Sequence, residues 1–313
     1  MPSSPFHAGE QAVQTRLGVR DRVEKMGQRM VRDFMPDEHR AFFEDLPFLI
    51  AASEDTQGAL WASLLVGEPG FVQAPEPRRL LVGASTLPGD PVRENLRAGA
   101  PLGLLGIELP TRRRNRVNGR LARATREEFE LRVEQSFGNC KQYIHARAGS
   151  FVTAVAPPSV EGKRLSDAAA RVLLRTDTTF IATGSGHARD GGSEGLDASH
   201  RGGRPGFIRV ETDADGSVLT LPDFYGNFMF NSFGNLEVNP RAGLLALDFK
   251  NGAVLSLTGS ARVIWDGPEV ASFAGAERLL QLCPSAGMLW QGVLRDWSGA
   301  EPSPQLSGTG IWP

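Results

Sequence analysis

Two blocks of this 313-residue chain repeat each other, and the repeat restricts the folds open to it. WASLLVGEPGFV at 61–72 returns as DASHRGGRPGFI at 197–208. Ala62, Ser63, Gly67, Pro69, Gly70 and Phe71 recur as Ala198, Ser199, Gly203, Pro205, Gly206 and Phe207, all 136 positions on. A second block joins Asn95, Leu96, Gly103, Leu104 and Leu105 to Asn235, Leu236, Gly243, Leu244 and Leu245, 140 positions on. Gly119 and Gly259 keep that second spacing. Solenoid repeats have periods of about 20–50 residues, so this is not one. The copied blocks fall in short apolar runs punctuated by Gly and Pro, the pattern of strands. In the first half these runs are 48–52, 59–66, 79–84, 102–109 and 114–122; in the second they include 179–183, 218–221 and 242–249. The expected fold class is mainly β: two tandem barrels with flanking helices, packed as an intramolecular pseudo-dimer about an approximate two-fold axis. The expected division is 1–150 and 151–313.

Helices are predicted at four places. Residues 11–30 carry Val13, Leu17, Val23, Met26 and Met30 loosely on one side. Asp37 can cap a second helix, and Ser166 or Asp167 another. Thr125 and Glu128 form a T-x-x-E capping box, with Phe129, Val133 and Phe137 four apart behind it. Residues 147–165, with a Pro-Pro break, read as a linker.

The halves differ most between 219 and 249. A polar turn at 223–235 offers Asn227, Asn231, Ser232 and Asn235 among Phe224, Tyr225, Phe228, Phe230 and Phe233. Such a long ordered connection suits a ligand site, here a planar, partly polar ligand carrying a phosphate; an ordinary turn with aromatic anchors is the alternative. The first half has only LPGDPVREN there, so one site is expected rather than two. The second half also has a Gly-rich segment, 184–206, which is expected to act as a lid.

The segments LPDFYGNFMFNSFGNLEVNPRAGLLALDF, FHAGEQAVQTRLGV, GDPVRENLRAGAPLGLLGIEL, RRRNRVNGRLA, SFGNCKQYI and DASHRGGRPGF resemble the pyridoxamine 5'-phosphate oxidase-related flavoproteins. The resemblance covers most of residues 6–265. It implies FMN-binding split β-barrels, with the FMN site that simpler members build between two subunits supplied here by one chain. It implies that the turn with Pro222, Asp223, Asn227, Asn231, Ser232 and Asn235 holds the FMN phosphate. It places Ser199, His200 and Arg201 on the strand that carries a basic side chain toward FMN, Arg201 first among them. His200 and Arg201 stand where the first half has Leu64 and Leu65. Gln135, Ser136, Asn139 and Tyr143 lie in a segment that reaches the flavin of the other barrel, although simple packing of the domain junction is an alternative. Arg116, in the basic run 112–120, is expected to face the cofactor, the alternative being a solvated strand edge. Members that oxidise pyridoxamine phosphate carry a basic pair where this chain has Asn231 and Ser232, and an Arg-x-His element that residues 290–313 lack. The expected activity is therefore an FMN-dependent oxidoreductase acting on an unassigned small molecule or electron donor. A non-catalytic module carrying flavin or haem is the alternative.

Other classes find no support. The net charge of −2 gives no reason to expect a nucleic acid or a membrane surface as partner. Two cysteines, Cys140 and Cys283, make no disulfide framework, and a reducing, cytoplasmic setting is expected. A homodimer is left open. The five histidines lack metal-ligand spacing. Gly191-Gly192-Ser193-Glu194-Gly195 matches G-x-S-x-G without the strand and helix a nucleophile elbow needs.

Overall fold

The computed structural model describes residues 4–186 and 193–313. The first antiparallel sheet contains β1 (Phe48–Glu54), β2 (Leu60–Val66), β3 (Val72–Glu76), β4 (Arg79–Val82), β5 (Ser85–Thr86), β6 (Pro101–Glu108), β7 (Arg113–Ala124) and β8 (Phe129–Gly138). β9 (Ala146–Phe151) and β10 (Ser159–Glu161) follow. The second sheet is built from β11 (Thr178–Gly184), β12 (Leu196–Gly202), β13 (Arg209–Thr212), β14 (Ser217–Asp223), β15 (Arg241–Asp248), β16 (Ala253–Ile264) and β17 (Arg278–Trp290), with β10 added against β17. β18 (Leu294–Glu301) pairs with β9 and so ties the two halves together. The helices are α1 (Ala8–Arg16), α2 (Arg20–Met30), α3 (Asp37–Glu44), α4 (Val92–Asn95), α5 (Asp167–Arg175), α6 (Asn231–Val238) and α7 (Pro268–Ala271).

The two sheets have one topology. The first runs β3-β4-β8-β7-β6-β1-β2, and the second runs β13-β14-β17-β16-β15-β11-β12 in the same sense. The correspondence extends to irregularities. The ladder slips between Asn118 and Gly119 in the first sheet and between Thr258 and Gly259 in the second. A Cβ on Gly119 would lie 1.9 Å from the Arg132 carbonyl oxygen, and one on Gly259 2.0 Å from that of Cys283. Only glycine admits so close a bulge, which is why both survive in the repeat. The chain is thus two tandem split β-barrels with few helices.

Three apolar cores follow from the strand patterns. One fills the first barrel around Leu49, Leu104, Val117 and Leu131, and a second fills the other around Ile181, Leu244, Leu257 and Leu282. A third lies between the sheets and mixes Ile50, Leu64 and Leu105 with Phe180, Leu245 and Trp290. At this junction a Cβ on Gly103 would sit 2.6 Å from the Leu196 carbonyl oxygen, and one on Gly243 2.6 Å from that of Leu60. The two contacts are reciprocal, since Leu60 and Leu196 are themselves 136 positions apart.

Several local expectations are corrected. The segment after Thr125 is strand β8, not a helix. Phe129, Leu131 and Val133 are buried while Glu130, Arg132 and Glu134 are not, a period of two. A spacing of four fits both periods, and Thr125 Oγ1 caps a tight turn by accepting from the Glu127 and Glu128 N–H groups. Residues 11–30 form two helices, α1 and α2, because Gly18 turns left-handed at φ 66°. Pro36, not Asp37, stands at the N-cap of α3. The 147–165 linker contains β9 and β10. The polar turn ends early, because α6 begins at Asn231. Most of the Gly-rich segment beyond 195 is strand β12, and its stretch 187–192 lies outside the described residues.

The junction glycines give a direct test. Gly103→Ala and Gly243→Ala should each lower stability by about 1–3 kcal/mol, the usual cost of overpacking, in urea denaturation. Gly308→Ala, where a Cβ meets nothing within 4 Å, is the control and should leave the midpoint in place.

Candidate functional site

A cleft opens where the β7–β8 end of the first barrel meets β12, β14 and α6 of the second. It is lined by Arg114, Arg116, Asn139, Tyr143, Ser199, His200, Arg201, Pro222, Asp223, Asn227, Asn231, Ser232 and Arg278, among others. Of the sequence-predicted site residues, eleven meet here. Asn235 and Gln135 line a smaller cavity behind α6, and Ser136 lines neither. Gln135 donates to the Pro5 carbonyl, and the Ser136 hydroxyl is paired with His39 Nδ1. Asn235 donates to Thr183 Oγ1 at 3.0 Å, as Asn95 does to Ser53 Oγ at 3.0 Å in the first barrel. That shared bond explains why the repeat keeps both asparagines.

Charge organises the cleft. Asp223 ends β14 and holds two cations. Arg201 pairs with its Oδ1, and Arg278 Nη1 donates to its Oδ2 at 2.6 Å. The guanidinium of Arg201 lies 4.9 Å from the Phe233 ring, and that of Arg278 5.1 Å from Phe230. From across the junction, Arg116 pairs with Asp197 Oδ1 at 3.0 Å, donates to Asn231 Oδ1 at 2.9 Å and also donates to Ser199 Oγ. His200 is buried, and burial together with Arg114 pushes its imidazole well below the usual range, so it is neutral at pH 7.

Unpartnered polar atoms collect at the same place. Among the described residues, Arg116 Nε, Arg201 Nε, His200 Nε2, Ser232 Oγ and Asn139 Oδ1 are buried with no hydrogen-bond partner. The N-terminus of α6 faces the cleft with Asn231, Ser232 and Phe233, and no side chain caps it; its N-cap residue Phe230 is left-handed at φ 61°. Tyr143 and Phe228, also at the cleft, are left-handed at φ 62° and 60°. Strain of this kind persists only where surrounding contacts impose it. Uncapped N–H groups, a helix dipole and orphaned cationic donors make an anion site. The cavity measures about 110 Å³, below the roughly 300–1,000 Å³ of a pocket enclosing a whole drug-sized ligand. It suits the anionic end of a ligand more than an entire one. Tyr143, Tyr225 and Phe228 supply flat surface at its rim.

The equivalent place in the other barrel is smaller, a cavity of about 20 Å³ lined by Leu65, Val82, Arg93 and Phe129 among others. Leu64 and Leu65 are fully buried there, and nearby the indole N–H of Trp290 donates to the Pro88 carbonyl at 2.8 Å. Ser256, which matches Arg116 by the 140-residue spacing, donates to the Ala62 carbonyl at 2.9 Å.

Sequence reading missed Arg278, Asp197 and Glu10. Arg278 opens a largely apolar strand, with no repeat or motif to mark it. Asp197 had a usable signal, since it stands where the first barrel has Trp61. Glu10 looked like an ordinary helix residue. It is buried and accepts from Asn231 Nδ2.

No family model matches the chain, and no curated protein does. Among solved structures it is similar to a "putative pyridoxamine 5'-phosphate oxidase" from Lactobacillus delbrueckii, at 12% identity and a TM-score of 0.31. That match covers 43% of this chain and 98% of the other. It is similar also to HupZ of Group A Streptococcus, at 10% identity and a TM-score of 0.30, over 43% and 99% of the two chains. Each match spans less than half of this chain, and at these scores neither carries an argument about function.

Arg201 has a structural partner, which changes the expected result of replacing it. Arg201→Leu leaves the largely buried Asp223 with Arg278 alone. The thermal melt of the ligand-free protein should fall, although Leu65 occupies the same place in the first barrel. Arg201→Lys, which keeps a charge within reach of Asp223, should recover most of the loss.

Proposed function

We propose that this cleft binds FMN by its phosphate and that the protein is an FMN-dependent oxidoreductase acting on a small molecule. The observation that carries the proposal is the convergence of Arg116 Nε, Arg201 Nε and Ser232 Oγ, all buried and unpartnered, on the uncapped start of α6. A dianionic phosphate with three strong acceptor oxygens suits that set. Arg116, Arg201, Arg278 and Ser232 would hold the phosphate, and Tyr143, Tyr225 and Phe228 would offer surface to the ring. Bound FMN would supply hydride or electron transfer, which the protein orients and tunes. The chain's own acids in the cleft are committed elsewhere: Asp223 to two arginines and Glu277 to Arg278. Among the described residues, neutral His200 is the one imidazole on the cleft wall. This division of labour suits a cofactor that does the chemistry. It equally suits a carrier that binds without turnover, and reduction of the bound flavin by added donors separates the two.

Both halves are needed in this reading. Arg116, Asn139 and Tyr143 come from 1–150, and the phosphate end comes from 151–313. Neither half expressed alone should bind FMN at the affinity of the whole chain.

Titration of the ligand-free protein with FMN, followed by flavin fluorescence and the visible spectrum, tests the proposal. A protein that takes up no FMN ends it, and a Soret band would move the site to haem. A hydrogen bond to a charged group contributes roughly 1.5–3 kcal/mol. Arg201→Leu should therefore weaken FMN binding by about ten- to a hundredfold, since ~1.4 kcal/mol is tenfold. Ser232→Ala should cost less, because a neutral donor makes the weaker bond. Asp223→Asn should tighten binding, because it removes the carboxylate that competes with phosphate for Arg201 and Arg278.

A further inference from the structure

The first helix is bound to the helix that opens the anion site. His7 Nε2 lies 2.9 Å from Asn235 Oδ1, and Gln14 Nε2 donates to the Met229 carbonyl at 3.0 Å. Between them Glu10 accepts from Asn231 Nδ2, while Asn231 Oδ1 accepts from Arg116 at 2.9 Å. Asn231 is thus clamped between α1 on one side and the cleft arginine on the other. The helices touch closely: a Cβ on Gly9 would lie 2.1 Å from the Gly234 carbonyl oxygen, and one on Gly234 2.4 Å from Glu10 Cγ.

We propose that Glu10 is a positioning residue for the anion site. Through it α1 straps α6 and Asn231 in place, and the strap loosens when Glu10 ionises. This rests on the cleft being the anion site proposed above.

The surroundings of Glu10 explain the switch. Its side chain is 5% exposed, and burial pushes its carboxyl up to about 8, with Asp197 adding to the rise. Backbone N–H donation from His7, the Asn231 amide and the charge of Arg116 act the other way. His7 faces it at 3.6 Å and is held below its usual range by burial, so both groups are neutral at pH 7. The small cavity beside them is lined also by Arg120 and Glu134 from the first barrel and by Glu194 and Asp197 from the second. Asp197 Oδ2 is buried there without a partner. A second negative charge in this space would be desolvated, repelled by Asp197 and drawn to Arg116. Competing for Arg116 would pull its guanidinium from Asn231 and the cleft. The sign follows. Glu10 has a folded-state pKa above its unfolded value, so the folded state binds more protons between the two. Stability therefore falls as pH rises through that window and has lost its full contribution above about 8.

The experiment compares the full-length protein with Glu10→Gln, a permanently neutral isostere, at pH 7 and 9. FMN binding is titrated. Hydrogen-exchange protection of the 231–238 amides, corrected for intrinsic rates, is measured without ligand. The ligand's phosphate is already dianionic in this window, its second pKa being about 6. Any other group that titrates is common to both proteins. In the wild type, Kd should rise about tenfold, the linkage of one proton across this interval, and protection of 231–238 should fall. In Glu10→Gln both should stay level. Glu10→Asp keeps the charge and withdraws the carboxyl by one methylene, so it should show weak protection already at pH 7. Level wild-type protection from pH 7 to 9, or an equal slope in Glu10→Gln, would overturn the proposal. If no protein binds FMN at either pH, the flavin reading fails, while the protection measurements still decide whether Glu10 is the strap.

Discussion

Everything in this molecule depends on how closely two sheets approach across the pseudo-two-fold axis. Gly103 meets the backbone at Leu196 and Gly243 meets it at Leu60, so the contact is made twice with one geometry. A Cβ at either point would lie 2.6 Å from a backbone oxygen, inside van der Waals contact, so the backbones would have to move apart and the mixed core around Phe180, Leu245 and Trp290 would loosen. In a dimer of separate subunits such a contact must be selected once and is copied by symmetry. In one polypeptide the two copies are free to drift apart, and they have. One cleft has its arginines, and the other is narrower, with Leu64 and Leu65 buried where the first has His200 and Arg201.

Close approach is also what makes the surviving cleft chemically useful. Arg116 belongs to the first barrel, yet its partners, Asp197, Ser199 and Asn231, all belong to the second. A buried guanidinium is tolerated because each of its charges and donors faces a partner or the cleft. Asp223 does the same for Arg201 and Arg278 within the second barrel. The result is a site whose positive charge is partly neutralised from inside. Asp223 thus occupies two of the four arginines that the described residues place on the cleft wall.

Much of this was legible in the residues. The repeat fixed the fold class because glycines and strand blocks recur at constant spacing for steric reasons, at bulges and at the barrel junction. Comparison of the copies also marked two residues of the cleft wall, since His200 and Arg201 replace Leu64 and Leu65 at positions that burial should keep apolar. β8 was not legible as a strand. Phe129, Val133 and Phe137 satisfy a helical spacing as well as an alternating one, and Thr125 with Glu128 serves a turn as readily as a helix. Ser136 and Gln135 lie in the segment that reaches the junction, but the bulge after Asn118 and the path of β8 turn them away from the cleft.

The sequence by itself determined the two-barrel plan, the loss of symmetry between the copies and the segment that carries the uncapped start of α6. These are properties of spacing and residue type along the chain, and strand periodicity and glycine sterics are local. Only the tertiary structure decided which groups would share charge. Arg278 finds Asp223 across a strand pair, Glu10 finds Asn231 from 221 residues away, and Arg116 reaches Ser199 from the other barrel. Such pairings are set by distance and burial in three dimensions, which leave no mark in the order of the residues.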